Sequence, residues 1–127
     1  MKILQKTELN EAEKIQICKL WNNEYPEKLN HQSLESFENY LYNLTEPHHY
    51  LLIDEKDNIK GWSVTFVRDL EKWFVIIIDE SMQGKGLGTQ VINLLKENES
   101  CLNGWGIDHN SDKKINGNFY FCLIICI

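Results

Sequence analysis

At 127 residues the chain is long enough to bury one core and too short for two, so a single domain over 1–127 is expected. Its 43% hydrophobic and 25% charged content exclude a disordered or fibrous protein. A net charge of −6 without any Lys/Arg run excludes a general nucleic-acid or anionic-membrane surface, since such surfaces work by neutralising phosphates.

Met1–Lys6 reads as a short strand that turns polar too soon for a signal-peptide core. Asn10 and Glu13 then have capping-box spacing and open a helix to about Asn22, with Leu9, Ala12, Ile15 and Leu20 expected on its buried side. Tyr25-Pro26 ends it, because proline cannot extend the hydrogen-bond ladder. A second helix starts near Ser33, with Leu34, Phe37, Leu41 and Leu44 at three- and four-residue steps, and Thr45-Glu46-Pro47 stops it. Three strands follow, Tyr50–Asp54, Ile59–Val67 and Trp73–Ile78, joined by the polar turns 55–58 and 68–71 as an antiparallel meander. The third is almost wholly apolar, which predicts a central position covered on both faces. A helix over Gly86–Glu97 carries Leu87, Val91, Leu94 and Leu95 at helical spacing. Asn103-Gly104 marks a break, and Trp105–Asp108 predicts a further strand, parallel to the one before the helix. The expected class is a mixed α/β sheet in the order β-α-α-β-β-β-α-β, with helices on both faces.

The chemistry concentrates where Ile76-Ile77-Ile78-Asp79-Glu80-Ser81-Met82 leads into Gln83-Gly84-Lys85-Gly86-Leu87-Gly88-Thr89. A strand delivers the backbone to three alternate glycines and then directly to a helix. The first N–H groups of a helix lack internal partners and carry partial positive charge, so such a turn is an anion site. Glycine lets a phosphate approach the backbone closely, and Lys85 adds a charge at the edge. Two phosphate motifs fail here. A P-loop would need glycine at position 79 and Ser or Thr at 86, where the chain has Asp79 and Gly86. The dinucleotide fingerprint needs uneven glycine spacing, whereas Gly84, Gly86 and Gly88 are evenly spaced. The pattern Gln/Arg-x-x-Gly-x-Gly/Ala is satisfied by Gln83, Gly86 and Gly88.

That segment resembles motif A of the GNAT superfamily of N-acetyltransferases, and the element order over Met1–Asp108 resembles the same family. The resemblance implies that the amides of Gln83–Gly88 hold the pyrophosphate of acetyl-CoA, and that main-chain groups of Ile76–Ile78 pair with its pantetheine arm between splayed fourth and fifth strands. It also implies that an N–H near Ile77 or Ile78 polarises the thioester carbonyl, and that an amine attacks directly. The acceptor would be a small-molecule or protein amine, losing its proton to a carboxylate or a water chain. Asp79 and Glu80, at the strand exit, are the candidate bases, with Glu71, Asp108 and His109 as lesser ones. Trp21, Tyr25, Trp62 and Trp73 read mainly as core residues, with room for one or two in an acceptor pocket.

The C-terminal segment departs from the family, which normally adds a helix and two strands, the helix carrying the tyrosine that protonates the thiolate. Residues 110–127 are too few for all three, and the tail Phe119–Ile127 is almost entirely apolar. Two accounts fit: a truncated end, or a sixth strand pairing within the sheet or with a second subunit as a homodimer. Tyr120 has the needed chemistry without the expected context. The alternative to an active enzyme is a non-catalytic remnant or CoA-binding module of the same fold. Cys18, Cys101, Cys122 and Cys126 lack metal-site spacing, so no metal is expected, and they read as reduced thiols of a cytoplasmic protein.

Overall fold

A computed structural model describes residues 1–25, 27–98, 101–107 and 120–126. The elements are β1 (Lys2–Lys6), α1 (Glu11–Glu24), a 3-10 turn (Glu27–Leu29), α2 (Leu34–Tyr42), β2 (Thr45–Ile53), β3 (Ile59–Arg68) and β4 (Glu71–Ile78). A second 3-10 turn (Glu80–Met82), α3 (Leu87–Asn98), β5 (Cys101–Ile107) and β6 (Tyr120–Cys126) complete the chain. One sheet runs β1-β2-β3-β4-β5-β6, and all its pairs are antiparallel except β4–β5. The expected order of elements is present, and the tail adds a strand: β6 pairs with β5 within the sheet, from Cys101 opposite Cys126 to Ile107 opposite Tyr120.

The predicted capping box opens α1. Asn10 Oδ1 accepts the Glu13 N–H at 2.8 Å, and Glu13 Oε1 accepts the Asn10 N–H at 2.8 Å. Its buried face differs from the expected one. Leu9 and Leu20 are buried, but Ala12 is exposed and Ile15 is 51% exposed. The packed stripe is Ile17, Leu20 and Trp21, flanked by Cys18. At 100° per residue, Ala12 and Ile15 fall on the side of the helix opposite Ile17. The packing of Trp21 against Phe37, Tyr40 and Trp62, with ring centroids 5.0–6.2 Å apart, settles which stripe turns inward.

Two further boundaries move. Thr45-Glu46-Pro47 does more than end α2: it begins β2, with an irregularity between Thr45 and His48 that accommodates a proline in a strand. Asn103-Gly104 lies inside β5 instead of before it. Gly104 faces Phe74 of β4, and a Cβ there would clash with one side of the phenyl ring. Glycine therefore marks a close approach of two strands, not a turn.

Alternation along the strands divides the core into two layers. Leu51, Trp62, Val64, Val75 and Ile77 pack with α1 and α2. Tyr50, Leu52 and Phe74 pack with Val91 and Leu95 of α3 and with Leu102. Within the sheet, His49 is 3% exposed and its Nδ1 accepts the Trp62 indole N–H at 3.1 Å, so the ring is neutral with its proton on Nε2. Burial, reinforced by the neighbouring His48, pushes its pKa down to about 4.

Two outcomes follow from this packing. Gly104→Ala should cost about 1–3 kcal/mol in urea unfolding, because Phe74 must leave its place. A histidine whose folded pKa is depressed contributes stability above its ordinary pKa and loses it as pH falls toward the folded value. Between pH 7 and 4.5 the native protein should therefore lose about 2 kcal/mol that His49→Asn, which keeps an acceptor for Trp62, does not lose.

Candidate functional site

β4 sits between β3 and β5, and its two edges behave differently. Toward β3 it is paired along its whole length, from Arg68–Glu71 to Gly61–Ile78. Toward β5 the parallel ladder covers Trp73–Asn103, Phe74–Gly104 and Val75–Trp105, and stops there. β5 meanwhile stays with β6 through Ile107. The strands thus part along Ile76–Ile78, as the resemblance implied.

Strand alternation assigns the free edge. The Asp79 N–H donates to Lys60 O on β3 at 2.8 Å, so odd-numbered residues of β4 turn their main-chain groups toward β3. Ile77 belongs to that set, and its side chain is buried against α1. Ile76 and Ile78 turn theirs toward the gap. The Ile76 N–H closes the ladder at the Val75–Trp105 pair, and Ile78 O accepts from Gln83 Nε2 at 3.0 Å, which leaves the Ile76 carbonyl and the Ile78 N–H directed into the gap.

Beyond Ile78 the chain makes a tight turn. Asp79 Oδ1 accepts the Ser81 N–H at 2.9 Å and the Ser81 hydroxyl at 2.6 Å, and the Asp79 carbonyl accepts from Met82 at 2.8 Å. The Ser81 hydroxyl bond holds the Asp79 carboxyl below its ordinary range. Glu80 is exposed. Gly84 and Gly86 then have φ of 78° and 77°, left-handed values that glycine takes without strain. Alternating backbone hands at a helix start turn successive N–H groups toward one concavity. Gly86 O accepts the Gln90 N–H at 3.1 Å, so the N–H groups of Leu87, Gly88 and Thr89 come before the first intrahelical bond. A Cβ on Gly84, Gly86 or Gly88 would meet nothing within 4 Å. The loop is open, and Lys85 is exposed beside it. These residues fit a diphosphate: unbonded amides, a helix dipole and space.

Not every sequence candidate gathers here. Glu71 lies at the opposite end of β4 and accepts from Asn103 Nδ2 at 3.1 Å. Asp108 and His109 lie outside the described residues. Trp62 is fully buried and Trp21 nearly so, as core residues. Sequence reasoning missed Glu24, the last residue of α1. Its Oε2 accepts the Glu80 N–H at 3.1 Å and its Oε1 accepts from Gln83 Nε2 at 3.3 Å. Burial pushes its pKa up, with Asp79 and Glu80 adding to the effect, although the Glu80 N–H works against it. No local motif marks such a residue, since its partners are more than fifty positions away. Among the described residues no group of three or more His, Cys, Asp or Glu is placed to hold a metal, and no helix is long and apolar enough to cross a membrane.

A parallel pair that parts just before a glycine-rich helix start defines an α/β domain with open backbone amides beyond the tip of its central strand. The sequence matches the profile of the Acetyltransferase (GNAT) family over residues 14–107, and the chain belongs to that family. No curated protein sequence matches it significantly. Solved structures with the same fold include an aminoglycoside 6'-N-acetyltransferase complexed with coenzyme A, 18% identical with a TM-score of 0.63. That match covers 86% of this chain and 64% of the other, so the chain spans less than two thirds of that protein. A protein provisionally described as a phosphinothricin N-acetyltransferase has a TM-score of 0.68 at 16% identity, covering 97% and 96% of the two chains. A spermidine N-acetyltransferase variant from Vibrio cholerae has a TM-score of 0.61 at 19% identity, covering 87% and 73%.

The Asp79–Ser81 pair supplies a measurable consequence. A carboxylate with a depressed folded pKa contributes stability above its ordinary pKa and loses it as pH falls through the folded value. Ser81→Ala should return the Asp79 carboxyl toward its ordinary range in an NMR titration, and should weaken the acid dependence of stability in that window.

Proposed function

We propose that this protein transfers an acetyl group from acetyl-CoA to a primary amine. The observation that carries the reading is the open edge of β4 at Ile76–Ile78, continuous with the glycine turn and the unbonded amides of Leu87, Gly88 and Thr89 at the start of α3. One cosubstrate with a diphosphate and an amide-bearing arm uses both features at once. The arm lies along Ile76 and Ile78 as an added strand, and the diphosphate meets the turn and the start of α3. Lys85 adds charge at the rim.

The thioester supplies an activated acyl carbon. The residues around it supply orientation and a proton path. The Ile78 N–H is the donor available to the carbonyl, whereas Ile77 faces β3 and drops out of that role. The amine would add to the carbonyl carbon and give up a proton to a carboxylate or to water; the carbon–sulfur bond would then break, releasing the CoA thiolate to take up a proton from water. Of the two carboxylates expected for that task, Asp79 is committed to Ser81 and its lowered pKa makes it a weak base. Glu80 is exposed and better placed to exchange protons with an incoming amine. The solved relatives named for aminoglycosides and spermidine act on amines, which suits an amine acceptor here.

Gly88 is the position for the test, because it lies in the first turn of α3 without a left-handed backbone. Gly88→Glu puts a carboxylate where the helix favours one, so the fold should be unharmed or gain a few tenths of a kcal/mol. The same carboxylate occupies the anion site. Acetyl-CoA binding by calorimetry should weaken at least about a hundredfold, equivalent to about 2.7 kcal/mol. Equal binding by wild type and variant would move the site elsewhere. Binding by the wild type without thiol release from any amine would favour a CoA-binding module over an enzyme.

A further inference from the structure

Glu24 stands where simple electrostatics would not put a carboxylate. It ends α1, where the helix dipole favours a cation, and α1 has no basic residue in its last turn. It is half-buried, and Asp79 and Glu80 bring two more negative charges close to it. Lys60 of β3 is a cation close enough to lower the Asp79 pKa. Two hydrogen bonds to the turn after β4 work against these terms: the Glu80 N–H at 3.1 Å and Gln83 Nε2 at 3.3 Å. The turn's other bonds run mostly within itself, Ser81 and Met82 to Asp79 and Gln83 to Glu80. Gln83 also holds Ile78 O at 3.0 Å, so one amide group connects the end of β4, the turn and α1.

We infer that Glu24 is a positioning residue: its carboxylate braces the turn from Glu80 to Gln83 against α1, and so presets the amides of the following glycines for the cosubstrate's diphosphate. The inference rests on the acetyl-CoA reading above. It assigns Gln83 a side-chain task that its place in the glycine motif does not supply. It also ties α1 and the loop after it to the cosubstrate end of the sheet, so that a shift in one is felt by the other.

The sign of the effect makes the brace testable. If Glu24 acted only through its charge, its removal would strengthen the binding of an anion nearby. If it acts as a brace, removal weakens binding because the turn is no longer preset. Acetyl-CoA binding is measured by calorimetry for wild type, Glu24→Ala and Glu24→Gln, beside amide exchange of Glu80 in the free proteins. The expected result is about a tenfold weaker Kd for Glu24→Ala, with the melting temperature little changed and Glu80 exchange faster. Glu24→Gln, which loses the charge but keeps one acceptor, should recover part of both. In turnover, KM for acetyl-CoA should rise while kcat changes little. Unchanged or tighter binding by Glu24→Ala, or unaltered Glu80 exchange, overturns the brace. A folded wild type that does not bind acetyl-CoA sinks the cosubstrate reading instead, and the exchange data then decide the brace alone.

Discussion

The fold turns on one short parallel contact. β4 and β5 are paired over three positions and then separate, and the proposed site lies past the point of separation. The contact is tight because Gly104 lets β5 approach the Phe74 ring, and Phe74 belongs to the core layer under α3. The parting persists because each strand keeps a full partner on its other side, β3 for β4 and β6 for β5. An open main-chain edge inside a sheet is ordinarily a cost, since unpaired amides seek partners. In the proposed function that cost is offset by a cosubstrate that brings its own amides.

The second constraint is the change of course at Asp79. The strand must end, reverse and enter a helix within eight residues, from Asp79 to Gly86. Asp79 supplies the first fold of the turn through Ser81, and two left-handed glycines supply the rest. A carboxylate used in this way is held ionised by its hydrogen bonds, which suits a cap and not a base. Structural and chemical roles compete for the same oxygen atoms, and the cap prevails.

The two helical layers divide the labour. α3 starts at the glycine turn and offers its N-terminus to an anion. α1 and α2 cover the other face with an aromatic cluster about Trp21, whose indole N–H is anchored on Leu29 O at 2.8 Å. Asn22 fastens the loop between them, accepting the His31 N–H at 2.8 Å and donating to His31 O at 3.0 Å. The rigid cluster places the end of α1 against the turn after β4, which is what allows Glu24 to reach across.

Local sequence determined much of this protein. The capping box at Asn10, the meander, the apolar central strand and the alternate glycines before α3 are legible because each depends on neighbours within a few residues. The family and its fold follow from those features, and so does the place of the glycine turn between β4 and α3. Tertiary structure decided the rest. Which stripe of α1 is buried depended on Trp21 meeting Phe37 and Trp62, contacts that helical spacing alone does not specify. Asn103-Gly104 resembled a turn, and only the ring of Phe74 across the strand shows why glycine stands there. Ile77 and Ile78 looked equivalent as donors until the register with β3 separated them. Glu24 was invisible because hydrogen bonds between residues more than fifty positions apart leave no periodic trace in a sequence.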